Sequence, residues 1–250
     1  MPFYRTDRWQ QIRHAIFTRA GGASTAPWAS LNIGGTVGDD LDAVRENHQR
    51  MVTALGVRAD RVCSTWQVHG ADVIWAQGPV QGRPWIAQAD AIITDQPDTP
   101  LLMRFADCVP LLFFDPVQGV IGMAHAGWRG TVAGVAGETV RAMQTLGGSE
   151  PENIEVLIGP SISMDAFQVG LEVVTALEAR YGDPEGMLRQ DPQDGTYYAD
   201  LWEANRRDLR AAGVQQIETM GICTFQRSDE FFSHRAEKGR TGRFGAIISL

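Results

Sequence analysis

Hydrophobic positions along this chain follow two periods, one of strands and one of helices. Short apolar or β-branched segments bounded by Gly, Pro or Asp dominate the first 130 residues, and residues 12–18, 73–76, 91–94 and 101–104 read as strands. Residues 109–114 and 120–124 are near-continuous apolar runs, the pattern of strands covered on both faces. The connector between them, DPVQG at 115–119, is rich in turn formers and predicts an adjacent antiparallel pair. A helical period begins after Asp40, with Leu41, Val44, Met51, Val52 and Leu55 on one face and Gly56 as the stop. Val132, Val135, Val140, Met143 and Leu146 repeat it up to Gly147. A third helix is expected over 169–180. A fourth opens with Asp200 and Glu203 at capping-box spacing, carries Leu201 and Leu209, and stops at Gly213.

Strands and helices intermingle without strict βαβ alternation. The pattern predicts an α+β fold, a single layered domain over residues 1–250 with mixed β-sheets flanked by helices. The segments 79–84, 145–153 and 181–195 read as surface loops within that domain.

Composition narrows the function classes. The 250 residues are 44% hydrophobic and 21% charged, with a net charge of −8. That balance repels phosphate backbones and anionic lipid, so neither nucleic acid nor membrane is the expected partner, while a local basic pocket for one small anion remains open. The first twenty residues have no apolar signal region, and three cysteines without a CxxC pair suit a reducing cytoplasm.

Candidate chemistry sits in three segments with small neighbours: TWQVHGAD (65–72), RFADCVP (104–110) and MAHAGWRGT (123–131). Small residues beside His69, Cys108 and His125 let a metal or substrate approach. Two imidazoles and a thiolate are good zinc ligands, and three ligands from separate loops leave a fourth position for catalysis. The same residues equally suit a cysteine hydrolase, with Cys108 as nucleophile and a His as base, or an ordinary buried thiol and hydrogen-bonded imidazoles. Arg129, between Gly127 and Gly130 and before the predicted helix, reads either as an anion site or as a surface ion pair. The glycine-rich loops at 18–24 and 30–40 are ligand covers, with Arg19 and Asn32 inward, or tight turns. His234, Arg235 and Arg240 border a pocket or solvate the surface. Asp107 is a proton-shuttle candidate. His14 and His48 read as structural, and Cys63 and Cys223 as buried thiols. The signatures HxE…PCxxC, GxSxG and HExxH are absent from the sequence. Five histidines fall short of the roughly ten that a multicopper oxidase requires.

The blocks QVHGAD (67–72), ADCVPLLFFDP (106–116), AHAGWRGTVAGV (124–135), IGPSIS…FQVG (158–170) and FFSHR…TGR (231–243) resemble, in order and spacing, the multifunctional purine nucleoside phosphorylases, long labelled laccase-domain proteins or polyphenol oxidases. The likeness runs from TRAGGAS to the C-terminus. It implies that His69, Cys108 and His125 bind zinc, with copper as the alternative metal. It implies phosphorolysis of adenosine, inosine and S-methyl-5′-thioadenosine, deamination of adenosine, and a cytoplasmic single-domain α+β protein whose partners are a purine nucleoside and phosphate. Arg129, Arg19, Asn32 and Arg235 are the expected substrate or phosphate contacts. The chain departs from the family pattern at Ser233-His234-Arg235-Ala236-Glu237 and at His48.

Overall fold

The computed structural model describes residues 1–79 and 85–250, so all but Pro79 of the loop predicted at 79–84 lies outside the described residues. Two large sheets organise the chain. The first has five strands in the order β1 (Phe3–Tyr4), β2 (Arg13–Phe17), β14 (Phe244–Ser249), β6 (Leu101–Phe105) and β3 (Cys63–Ser64). The second has six, in the order β13 (Gln216–Thr219), β9 (Glu155–Ile158), β7 (Val109–Asp115), β8 (Val120–Ala126), β5 (Ala91–Thr94) and β4 (Val73–Trp75). Both mix parallel and antiparallel pairs, with β3·β6, β4·β5 and β9·β13 parallel. The fold is α+β with mixed sheets, as the sequence predicts.

Side-chain alternation explains the layering. On β7, Leu112 and Phe114 pack inward against the first sheet, where Ile16, Met103, Phe105 and Phe244 meet them. Their neighbours Leu111 and Phe113 face the other way, onto helices α3 (Val135–Gly147) and α5 (Leu201–Ala211). The outer face of the first sheet, with Ala15, Phe17, Leu102 and Ile247, is covered by Met51 and Val52 of α1 (Leu41–Leu55). Both β7 and β8 are buried along their whole length, which is why their sequences are continuous apolar runs rather than alternating ones. The DPVQG turn joins them as an antiparallel hairpin.

Helix ends follow the predicted chemistry. Asp40 caps α1 through the amide of Asp42, and Gly56 closes it in the left-handed region. Asp200 caps α5 by accepting from the Glu203 amide, but the Glu203 side chain pairs with Arg206 and Arg207 instead of completing the box.

Three expectations need correction. The helix predicted from Val132 begins at Trp128 as a short α2 (Trp128–Ala133) and breaks at Gly134, whose left-handed φ of 85° starts α3. Strand β8 continues past Ala124 to Ala126, so His125 lies inside a strand rather than after it. The segment 181–195 is more than loop: β11 (Leu188–Gln190) joins β12 (Tyr197–Ala199) and β10 (Gln168–Val169) in a third small sheet beside α4 (Leu171–Tyr181), around Leu177 and Met187. Its strands are two or three residues long, too short to carry a period.

Candidate active site

The parity of β8 sends His125 to the same side as Ile121 and Met123, into the space between the two large sheets and near its open end. Across the hairpin, Cys108 stands just before β7, and His69 sits in the loop between β3 and β4. One ligand atom from each of the three lies within 4.8 Å of the others. The imidazole rings of His69 and His125 meet edge to face at 5.0 Å.

A carboxylate that sequence reasoning missed holds this arrangement. Asp90 is fully buried at the entry to β5. Its Oδ1 accepts from Nδ1–H of His125 at 2.8 Å, and its Oδ2 accepts from the amides of Val68 and Gly70 at 2.9 and 2.7 Å. One side chain therefore fixes the ring of His125 and both flanks of His69, which takes a left-handed φ of 63°. With Nδ1 of His125 committed, Nε2 is left for the cluster. The signal was an Asp inside the apolar run Ala89–Thr94, where a carboxylate must have a partner.

Cys108 is aimed by a second carboxylate. Asp107 adopts φ 80°, with its Oδ1 accepting from the Thr224 hydroxyl at 2.7 Å and its Oδ2 from the Arg235 amide at 2.6 Å. Both oxygens accept a hydrogen bond, which fixes the turn that carries Cys108. Gly127 completes the fit: a Cβ there would stand 2.9 Å from Sγ of Cys108 and 3.1 Å from Cδ2 of His69. A Cβ on Gly130 would press within 2.9 Å of the Gly70 carbonyl.

The charges are coupled. Burial works against a thiolate at Cys108, yet His125, aided by His69, outweighs it and brings the thiol down to about 6. Burial likewise opposes the cationic form of His125, and the Cys108 charge and Asp90 hydrogen bond raise it to about 9. Asp90 itself, despite burial, is held below the usual carboxylate range by His125 and the two amides. Nucleophilic thiolate and metal ligand demand the same state of this sulfur, so the state alone does not choose between them.

The trio opens on a cavity of about 1250 Å³, larger than a nucleoside requires. Trp66, Trp85, Trp128 and Phe167 supply aromatic walls, and Arg104, Arg235 and Arg243 supply positive charge. Arg235 lines this space as expected, with one donor on the Gln168 carbonyl at 2.9 Å. Arg129, Arg19 and Asn32 do not line it. Arg129 is exposed on α2, its guanidinium 4.2 Å from the centroid of the Trp128 ring. Arg19 binds the carbonyls of Ala29 and Ser228, pairs with Glu237 and lies over Phe232. Asn32 is fully buried and ties Gly34, Asp39 and Arg243 together. The two glycine-rich loops are bound to each other, with Ser30 and Leu31 donating to the Arg19 carbonyl. His14 and His48 each hold a local hydrogen bond, and Cys63 and Cys223 are buried free thiols.

The His–Cys–His cluster opens on the cavity between the two sheets, an arrangement that suits one metal ion or one activated thiol. Residues 13–250 match the family described as "Multi-copper polyphenol oxidoreductase laccase", and this chain belongs to that family. Similar proteins include a purine nucleoside phosphorylase of Deinococcus radiodurans, 41% identical over 96% of this chain and 89% of its own length, and purine nucleoside phosphorylase YlmD of Geobacillus stearothermophilus, 39% identical over 93% and 88%. The solved structure of YlmD from Geobacillus stearothermophilus superposes with a TM-score of 0.92 at 36% identity, covering 99% of this chain and 98% of that one. The hypothetical protein YfiH of Bacillus licheniformis gives 0.93 at 31% identity, covering 99% and 96%.

Proposed function

We propose that the chain is a zinc-dependent purine nucleoside enzyme, cleaving adenosine, inosine and S-methyl-5′-thioadenosine with phosphate and deaminating adenosine, with residues 1–250 acting as one catalytic domain. The observation that carries the reading is the convergence of His69, Cys108 and His125 with Asp90 behind them. The donor set fits zinc: two imidazoles and one thiol, with ligand atoms within 4.8 Å of one another, are the residue types that would hold it. A carboxylate on the distal nitrogen of a ligating His is the usual support of such a ligand. When bound there, zinc supplies Lewis-acid chemistry.

The residues of the chain divide the remaining work. Asp90 keeps the proton of His125 on Nδ1, so Nε2 stays free for the metal. Asp107 and Gly127 set the position of the sulfur. Trp128 and Phe167 offer faces against which a purine stacks. Arg235 and Arg243 supply positive charge to the cavity. The acidic chain elsewhere repels polyanions and leaves this pocket as the place for one small anion.

Two other readings meet specific obstacles. A multicopper oxidase needs more imidazoles than the five present, and of these His14 and His48 are engaged elsewhere. A cysteine hydrolase is favoured by the depressed Cys108 thiol, but it gives no role to a second imidazole at the same distance. The test is to incubate metal-defined protein with adenosine and phosphate and to separate adenine, ribose 1-phosphate and inosine by chromatography. Zinc-loaded protein is expected to form all three and chelated protein none. Full hydrolytic activity after chelation supports the hydrolase instead, and copper-dependent phenol oxidation without nucleoside products supports the oxidase.

A further inference from the structure

Away from the trio, the cavity runs between the first sheet and α1, and its chemistry changes. Arg104 is on β6 with its side chain on the α1 face, opposite to the inward Met103 and Phe105. One guanidinium nitrogen donates to the Thr65 carbonyl, and the residue lines the cavity. Gln67 clamps the backbone of Arg104 from both sides, donating to its carbonyl at 2.8 Å and accepting from its amide at 3.1 Å. Gly245 pairs with Arg104 across the strands, and Arg243 lies two residues before it, on the same face. Gly245 has no side chain on that face, where the side chains of Met51 and Ile33 pack directly onto its backbone.

Among the described residues, neither Arg104 nor Arg243 is paired with a carboxylate. The Arg243 guanidinium donates to the carbonyls of Thr241 and Gly242. The two carboxylates in the cavity wall are engaged, Asp60 with Arg58 and Asp107 with Thr224 and the Arg235 amide. His48 stands beside Arg104 as a neutral neighbour: burial lowers it, and its Nε2–H donates to the Ile33 carbonyl at 3.1 Å. Arg45 of α1 also lines this end but is exposed and paired with Asp42, so the positive charge left without a carboxylate is that of Arg104 and Arg243. Burial without a counter-charge brings even Arg104 down to about 10. A paired guanidinium would not fall in this way.

We propose that Arg104, with Arg243 lining the same cavity, is the seat of the inorganic phosphate that attacks the nucleoside. The proposal rests on the phosphorolysis reading and adds a residue that neither the sequence motifs nor the metal site pointed to. A planar fork facing a cavity suits a tetrahedral oxyanion, which takes two parallel hydrogen bonds. Arg243 lines the same cavity on the side of Cys108 and Asp107, whose charges it feels. A purine nucleoside in this cavity directs its six-membered ring to the trio and C1′ to the arginines. One bound orientation then serves both reactions. In phosphorolysis a phosphate oxygen bonds to C1′ as the C1′–N9 bond breaks, both electrons leave on the purine, and the proton given up by phosphate ends on the base.

The experiment uses metal-loaded protein, wild type and Arg104→Gln, with Arg104→Lys as the variant that keeps a charge in case the first does not fold. Binding is read as the rise in Tm with inorganic phosphate, and separately with adenosine 5′-monophosphate. Kinetics give KM for phosphate and the ratio of phosphorolysis to deamination. The expected result is a KM for phosphate raised at least tenfold in Arg104→Gln and several-fold in Arg104→Lys, with the ratio falling in step and the phosphate-induced shift in Tm lost. Unchanged phosphate affinity in either folded variant overturns the proposal. So does a shift that depends on Arg104 with the monophosphate but not with inorganic phosphate. If wild type performs no phosphorolysis yet shows an Arg104-dependent shift with inorganic phosphate, the seat stands and the reaction assigned above fails.

Discussion

At the β5–β8 end of the cavity, one carboxylate organises two imidazoles and a loop; at the α1 end, two guanidinium groups face the same space with no carboxylate assigned to them. In the first region Asp90 takes up every donor that would otherwise compete, and the three atoms left over point at one another. Such a donor set suits a single cation. In the second, backbone carbonyls take a share of Arg104 and Arg243 and leave their charge uncompensated. That arrangement suits an anion. Arg19 shows what a satisfied arginine looks like here, with two carbonyls, Glu237 and the Phe232 ring around it. The functional groups are legible as the polar atoms that the fold leaves unpaired at a surface it has shaped.

The comparison sharpens first at Cys108. In metal-free protein its thiol is depressed to about 6 from an ordinary 9.0, so its thiolate fraction at pH 7 is about a hundredfold above that of an unperturbed thiol. Alkylation by iodoacetamide is expected to hold a plateau above that value and to fall as pH drops through it, because protonation removes the nucleophile. Added zinc should protect the sulfur. A midpoint near 9 in the folded metal-free protein would break the description of the trio. Asp90→Asn comes next. It keeps the shape but lets Nδ1 of His125 lose its anionic acceptor, and zinc affinity in a competition titration is expected to fall about 10- to 100-fold.

Gly127→Ala tests crowding rather than chemistry. The added methyl must push Cys108 or His69 aside, at ~1–2 kcal/mol, and the expected loss of zinc affinity is about tenfold. The smallest effect is expected at Arg129. Its side chain is exposed and stacked on Trp128, outside the cavity, so Arg129→Ala should change phosphorolysis and deamination by less than about threefold. A loss of phosphorolysis alone in that variant would move the anion site from the α1 end to α2 and reverse the assignment of the two regions.

Much of this was readable from residues alone, for reasons that differ from place to place. Strands β5, β6, β7 and β8 and helices α1 and α5 announce themselves because a buried face imposes its period and a cap has its own residue types. The trio stood out because His and Cys among Gly and Ala have no structural need for such small neighbours. Asp90 was missed because its role depends on β5 pairing antiparallel with β8, a contact between residues 35 apart. Arg104 gives no signal of its own, standing at the end of the strand predicted at 101–104. Only the α1 layer over the first sheet shows that its side chain enters the cavity. Conversely, Arg19 and Asn32 looked inward because glycine-rich loops often close over ligands, whereas here the loops bind each other. Position 129 drew attention for its flanking glycines, yet those glycines serve close packing, Gly130 against Gly70 and Gly127 against Cys108.

The most direct test loads the metal-free chain with cobalt(II) in place of zinc and follows thiolate-to-metal absorption against added metal. One cobalt per chain is expected, with the charge-transfer band present in wild type and missing in Cys108→Ala, and with binding weakened in His69→Ala and His125→Ala. A band that survives Cys108→Ala, or tight binding that ignores both histidines, would place the metal elsewhere and contradict the account.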